Sequence, residues 1–158
     1  MRILGIDPGY GRVGWGVIEG NGTDWKPVAY GCIETSPKKD ISARLANIEE
    51  GILFILNKYQ PDAAGVEELF FKKNVTTGIK VAQARGVMLL TLHKHGVQVV
   101  GVKPLQAKQA VTGYGNADKK QVQYMVAMML KLPKKSFQDD AADALAVALY
   151  AGSVVKRT

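Results

Sequence analysis

Acidic side chains stand in this chain where an apolar interior disfavours charge. Asp7 closes the run Met1-Arg-Ile-Leu-Gly-Ile-Asp, Glu67 and Glu68 lie within Ala64-Gly-Val-Glu-Glu-Leu-Phe-Phe, and Asp140 and Asp143 lie in the alanine-rich segment Asp139-Asp-Ala-Ala-Asp-Ala-Leu-Ala. An ionised carboxylate taken out of water either finds a partner or takes up a proton, so acids converging in an interior share a cation or a proton. No lysine or arginine suited to simple ion pairing neighbours these acids closely enough in sequence. The pattern reads as a divalent-metal site, and the net charge of +7 on the whole chain sets it apart further.

Each acid must be carried by an element that aims it. In the first apolar run Ile3, Gly5 and Asp7 share one face and Leu4 and Ile6 the other, which makes a central strand buried on both sides with Asp7 at its carboxyl end. In the run near 63–70, Glu67 shares a face with Gly65 and Leu69, and Glu68 shares the opposite face with Val66 and Phe70. Only one of the two glutamates can join Asp7, and alternation alone does not choose. The segment from Asp139 is apolar nearly all round, a buried helix whose alanines allow close approach to a sheet. Asp140 and Asp143, three apart, project from one face of it, and Asp139 is placed to cap its amino terminus. Such a set can hold two Mg²⁺ about 4 Å apart, one activating water and one stabilising a leaving oxygen, as in phosphodiester hydrolysis. Oxygen-only donors suit Mg²⁺ or Mn²⁺ rather than zinc. His93 and His95, two apart at a helix end, do not face one site and read as surface residues.

The remaining pattern supplies a frame. After a Pro-Gly turn, residues 12–19 alternate Val13, Trp15 and Val17 against Gly14, Gly16 and Ile18, completing a hairpin with the first strand, and a third strand spans about 27–34. Ile41, Leu45, Ile48, Ile52 and Leu56 recur at helical spacing. A strand at about 63–70, a helix at about 75–94, a strand at about 97–102 and helices near 104–111, 118–131 and 139–151 follow. Three strands in a meander followed by alternating helices and strands predict an α/β protein of the ribonuclease H-like fold, a mixed five-stranded sheet flanked by helices, with residues 1–158 as one domain.

Gly9-Tyr-Gly11-Arg-Val-Gly14 matches the dinucleotide fingerprint literally, with Glu34 about twenty residues on. That motif needs a helix opening at its glycines, whereas period-two alternation and further glycines follow here, so the reading is rejected. Pro8 and the glycines instead turn the chain tightly after Asp7. Actin-like kinases and ATPases share the topology but clasp a nucleotide between two domains, and 158 residues supply one.

An excess of 21 Lys and Arg over 14 Asp and Glu suits a polyanionic partner. Lys72, Lys73, Lys103, Lys108, Lys119, Lys120, Lys131, Lys134 and Lys135 lie near loops or helix starts, several of them directly after the acidic segments. A lone cysteine, Cys32, excludes a disulfide framework and suits a reducing cytoplasm. No run of about 18 apolar residues and no leader pattern is present, so neither a membrane span nor secretion is expected.

Taken together, Ile3-Leu-Gly-Ile-Asp-Pro-Gly, Val66-Glu-Glu-Leu-Phe-Phe-Lys-Lys-Asn74, Gln83-Ala-Arg-Gly86 and Asp139-Asp-Ala-Ala-Asp-Ala-Leu-Ala146 resemble the RuvC family of bacterial Holliday junction resolvases over almost the whole length and in the same order. The resemblance implies a homodimeric, Mg²⁺-dependent endodeoxyribonuclease that cuts four-way DNA junctions at two symmetric phosphodiesters in recombination and repair. It also implies work beside the branch-migration proteins RuvA and RuvB. The family's catalytic, metal-binding acids fall on Asp7, Glu67, Asp140 and Asp143, which favours Glu67 over Glu68. Its junction-centre aromatic falls on Phe70, where a ring stacks on an unpaired base or, alternatively, fills the core. Its DNA-binding lysines fall on Lys108 and Lys119, the latter at a helix start where free amides favour phosphate. The helix near 75–94 resembles the family's dimer helix; Gly78, Ala82 and Gly86 would let two copies approach, or would pack it on its own sheet. Small RNA-processing nucleases of the same fold are the nearest enzymatic rival, and the Phe-Phe-Lys-Lys segment and paired aspartates argue against them. A junction-binding module without chemistry is the other, disfavoured by four intact acids. The tail after the last helix is shorter than in some relatives.

Overall fold

A computed structural model describes residues 1–70, 74–133 and 139–156, apart from the side chain of Asp139. Strands β1 (Arg2–Asp7), β2 (Arg12–Asn21) and β3 (Asp24–Glu34) form an antiparallel meander. Helix α1 (Ile41–Tyr59) crosses to β4 (Ala63–Glu67), and α2 (Val75–Lys94) leads to β5 (Gln98–Val102). Both β1–β4 and β4–β5 are parallel pairs, and the sheet order is β3-β2-β1-β4-β5. Helices α3 (Pro104–Thr112), α4 (Lys119–Met129) and α5 (Asp139–Val154) follow.

The sheet divides the core in two. Leu4, Ile6, Val13, Val17, Ala64 and Val66 meet Ile48 and Ile52 of α1 and Ala84, Met88 and Leu92 of α2. On the opposite face Ile3, Ile18 and Ala63 meet α3, α4 and α5 through residues such as Val111, Val126 and Leu145. Strand β1 is buried on both faces because both of its alternating sets are apolar.

Local chemistry sets the helix ends. Asp40 accepts from the Ala43 amide at 2.8 Å and opens α1, Asn74 accepts from Thr77 and opens α2, and Pro104 occupies the first turn of α3. Gly113, at φ 84°, takes the left-handed conformation that closes α3.

Two strand boundaries shift by three residues from the sequence pattern. Strand β3 begins at Asp24 rather than near 27, running through Pro27: β3 is an edge strand with a bulge opposite Val17 and Ile18, where a missing amide hydrogen is tolerated. Strand β4 ends at Glu67 rather than near 70. Its neighbours end at Asp7 and Val102, so after the Glu68 amide donates to the Val102 carbonyl at 2.8 Å no ladder remains to extend it.

Candidate active site

Asp7 and Glu67 finish adjacent parallel strands one step beyond the paired residues Ile6 and Val66, on the face that carries Gly5 and Gly65. Their carboxyl groups hydrogen-bond to one another. Helix α5 lies directly over this face. A Cβ at Gly5 would fall 1.9 Å from the Ala144 carbonyl oxygen, and one at Gly14 would fall 2.1 Å from that of Asp140. Small residues on both sides, glycines in the strands and alanines in the helix, let α5 rest on the sheet backbone and bring Asp140 and Asp143 within electrostatic reach of Asp7. Glu68 is turned the other way, its Oε1 lying over Gly101 of β5. The geometry thus joins Glu67 to Asp7 and leaves Glu68 out.

Burial pushes the Asp7 carboxyl from its ordinary 3.8 up to about 9, reinforced by the charges of Glu67 and Asp143, the hydrogen bond with Glu67 and the charge of Asp140. Glu67 is also raised, by burial first, with Asp143 adding to the rise and the hydrogen bond from Asp7 and the charge of Lys108 opposing it. The two titrate as a pair that retains a proton when no cation is present. One partner was not foreseen: Arg12 places Nε 3.6 Å from Asp140 Oδ2 while its Nη2 lies 3.1 Å from Glu34 Oε1. So Asp140 does have an ion-pair partner, from a segment remote in sequence. Among the described residues no three His, Cys, Asp or Glu side chains form a group already drawn together around one ion. Asp7 and Glu67 are in direct contact, and Asp140 is held toward Arg12. An all-oxygen donor set carrying more negative charge than its burial tolerates nevertheless has the chemistry of a hard divalent-cation site.

A cleft of about 90 Å³ joins this set to two of the predicted cations, being lined by Glu67, Asp143, Lys108, Lys119 and Val122 among others. Lys119 is the first residue of α4, as expected. A capping box takes up two amides near this terminus: the Gln121 amide donates to the Asp118 carboxylate at 2.8 Å, and the Asp118 amide donates to the Gln121 side-chain oxygen at 2.9 Å. Phe70 is 60% exposed, which removes the reading of it as a core side chain.

Sequence reasoning missed Arg85, whose Nε donates to the Glu67 carbonyl at 3.0 Å and fastens α2 to the end of β4. Its place in Gln83-Ala-Arg-Gly86 was the available signal. On α2 itself Gly78 is buried, while Ala82 and Gly86 are exposed in line with Val75, Ile79 and Leu90, each more than half exposed. His93 and His95 are exposed at the carboxyl end of α2. Lys72, Lys73, Lys134 and Lys135 and the proposed Asp139 cap lie outside the described residues.

A three-strand meander continued by two parallel strands, with acids on the two central strand ends beneath a terminal helix, defines the class: a nuclease of the ribonuclease H-like fold. The family model described as crossover junction endodeoxyribonuclease RuvC matches residues 3–151. The chain belongs to the RuvC family. It is 49% identical over 153 residues to crossover junction endodeoxyribonuclease RuvC of Petrotoga mobilis, covering 97% of this chain and 94% of that one. The protein of the same name from Clostridioides difficile is 51% identical over 149 residues, covering 94% and 88%. The structure of T. thermophilus RuvC in complex with a Holliday junction substrate superposes with a TM-score of 0.89 at 35% identity, covering 95% of this chain and 92% of that one.

Proposed function

We propose that this chain, acting as one nuclease domain over residues 1–158, resolves four-way DNA junctions by paired, symmetric phosphodiester hydrolysis in recombination and repair. The observation that carries the reading is the convergence of Asp7, Glu67, Asp140 and Asp143 at the carboxyl ends of β1 and β4, in a chain whose relatives are named for this cleavage. These four are the catalytic acids and the ligands for two Mg²⁺, with Mn²⁺ able to substitute. The ions would supply an activated water and stabilise the departing oxygen. Glu67 and Asp7, fixed by adjacent strands, hold one side of the site, and α5 brings its aspartates from above. Lys108 and Lys119 bind the phosphate backbone beside the cleft they share with Glu67 and Asp143. The exposed ring of Phe70 is free to stack on a base at the junction centre.

Two symmetric cuts require two sites, and the apolar line along α2 suits a homodimer. RuvA and RuvB are the expected partners at the junction and the cytoplasm the expected location; among the described residues no helix is long and apolar enough to cross a membrane. The test is cleavage of a labelled four-way junction with Mg²⁺ beside a linear duplex and an RNA hairpin. Paired nicks at symmetric positions on the junction alone support the reading, and equal cutting of the hairpin or the duplex refutes it.

A further inference from the structure

A second group of cations stands on the opposite side of the acids from Lys108 and Lys119, around the turn that joins Asp7 to Arg12. That turn is fastened by Thr35, which is only 7% exposed. Its amide donates to the Gly11 carbonyl at 3.0 Å and its hydroxyl donates to the Tyr10 carbonyl. Arg44, in the first turn of α1, donates Nε to the same hydroxyl at 2.9 Å and sets its guanidinium carbon 4.6 Å from the centre of the Tyr10 ring. Lys80, from α2, brings Nζ to 5.5 Å from that centre. Neither cation is paired with a carboxylate among the described residues.

Anchoring the turn accounts for one N–H of Arg44. Beyond their contacts with the Tyr10 ring, no side-chain bond among the described residues uses the remaining guanidinium donors or the Lys80 ammonium. Two like charges gathered on one aromatic ring repel each other, and the ring's negative face offsets this only in part. An anion between them removes the repulsion, and a guanidinium fork beside an ammonium is suited to phosphate oxygens. The placement is informative as well. Arg44 and Lys80 belong to the α1–α2 layer, whereas Lys108 and Lys119 belong to the α3–α4 layer, so the two cationic groups stand on opposite faces of the sheet at the strand ends that carry Asp7 and Glu67.

We propose that Tyr10, Arg44 and Lys80 form a second DNA-backbone site, gripping phosphates of a junction arm on the α1–α2 side while Lys108 and Lys119 grip the strand on the other. The inference rests on the junction reading above and adds a contact to it.

The test is fluorescence-anisotropy titration of a labelled four-way junction over a range of KCl, in chelator so that no cleavage proceeds. Lys80→Ala and Arg44→Gln should each lower the slope of log affinity against log salt by about one unit, and the double variant by about two. Arg44→Lys, which keeps the charge, should restore most of that slope even if the turn is loosened. Lys26→Ala, on β3 at the far end of the sheet, should leave the slope unchanged. A purely structural role for Arg44 would lower thermal stability without moving the slope. Folded Lys80→Ala and Arg44→Gln proteins that keep the wild-type slope overturn the proposal. Absence of salt-dependent junction binding by the unaltered chain overturns it together with the function on which it rests.

Discussion

Asp7, buried beside Glu67 and within reach of Asp140 and Asp143, has its carboxyl pushed up to about 9, with consequences for both activity and stability. Asp7→Asn, Glu67→Gln and Asp143→Asn should each abolish cleavage while retaining junction binding, since other surfaces hold the DNA. Glu68→Gln should be mild because that side chain points over Gly101. Equal loss of binding and cutting in folded acid variants, or a Glu68 effect as large as that of Glu67, would contradict these roles. Without metal, the folded chain keeps the Asp7 proton between the ordinary 3.8 and about 9, whereas the unfolded chain has released it. The unfolded state then binds fewer protons, so the contribution of Asp7 to stability is full below about pH 4 and is lost as pH rises toward 9. Melting curves in chelator should therefore fall across this window, and Asp7→Asn should fall less, gaining about 2–4 °C near neutrality, roughly 1 kcal/mol for a chain of this size. Mg²⁺ should raise the wild-type melting temperature and have little effect on the variant. Phe70→Ala should change stability by no more than about 0.5 kcal/mol, as befits an exposed ring. It should slow cutting of fully paired junctions more than of junctions with unpaired centres, by up to the 1–3 kcal/mol that a base stack is worth. A Phe70→Ala protein with equal rates on both substrates would exclude stacking.

Helix α5 couples the acids to the core. It rests on Gly5 and Gly14, where any side chain would strike its backbone, so the position of Asp140 and Asp143 depends on two hydrogen atoms in neighbouring strands. Gly5→Ala would put a methyl group 1.9 Å from the Ala144 carbonyl oxygen. Helix α5 must then retreat, at a cost of about 3 kcal/mol in stability, and cleavage should fall by more than the unfolded fraction explains. Denaturant unfolding and cleavage on the same preparation separate the two effects. A stable, fully active Gly5→Ala chain would mean that the contact yields easily. Arg85 plays a corresponding part at the other strand end, tying α2 to the backbone of Glu67.

At the scale of the whole molecule, α2 presents Val75, Ile79 and Leu90 to solvent in line with Gly86, where an added Cβ meets nothing within 4 Å. Ile79→Glu should raise the dimer dissociation constant by about thirtyfold or more, the loss of about 2 kcal/mol expected of a buried interface anchor. Gly86→Ala is the sharper probe: within one chain it has room and gains up to about 1 kcal/mol of helix propensity. A fall in dimer affinity on that change would report a second helix packed against Gly86. Sedimentation velocity across concentration reads both variants, and a wild-type chain that stays monomeric at micromolar concentration would refute the dimer.

Much of this molecule follows from the order of its residues. The period of two around Asp7 makes β1 a central strand, the alanines around Asp140 and Asp143 make α5 a buried helix, and the short turn after Asp7 forces the meander, because each is a regularity within one segment. Whether Glu67 or Glu68 joins Asp7 was undetermined by alternation, which says that two residues differ in face and not which face meets which helix; the parallel register of β1 with β4 beneath α5 decided it. Exposure of Phe70 likewise depended on β4 ending where its neighbours end. The pairing of Arg12 with Asp140, the bond from Arg85 to Glu67 and the gathering of Arg44 and Lys80 on Tyr10 join segments remote in sequence. Local patterns govern how each segment buries its own apolar face, whereas the partners of a charge are set by the packing of whole elements against one another, which only the tertiary structure contains.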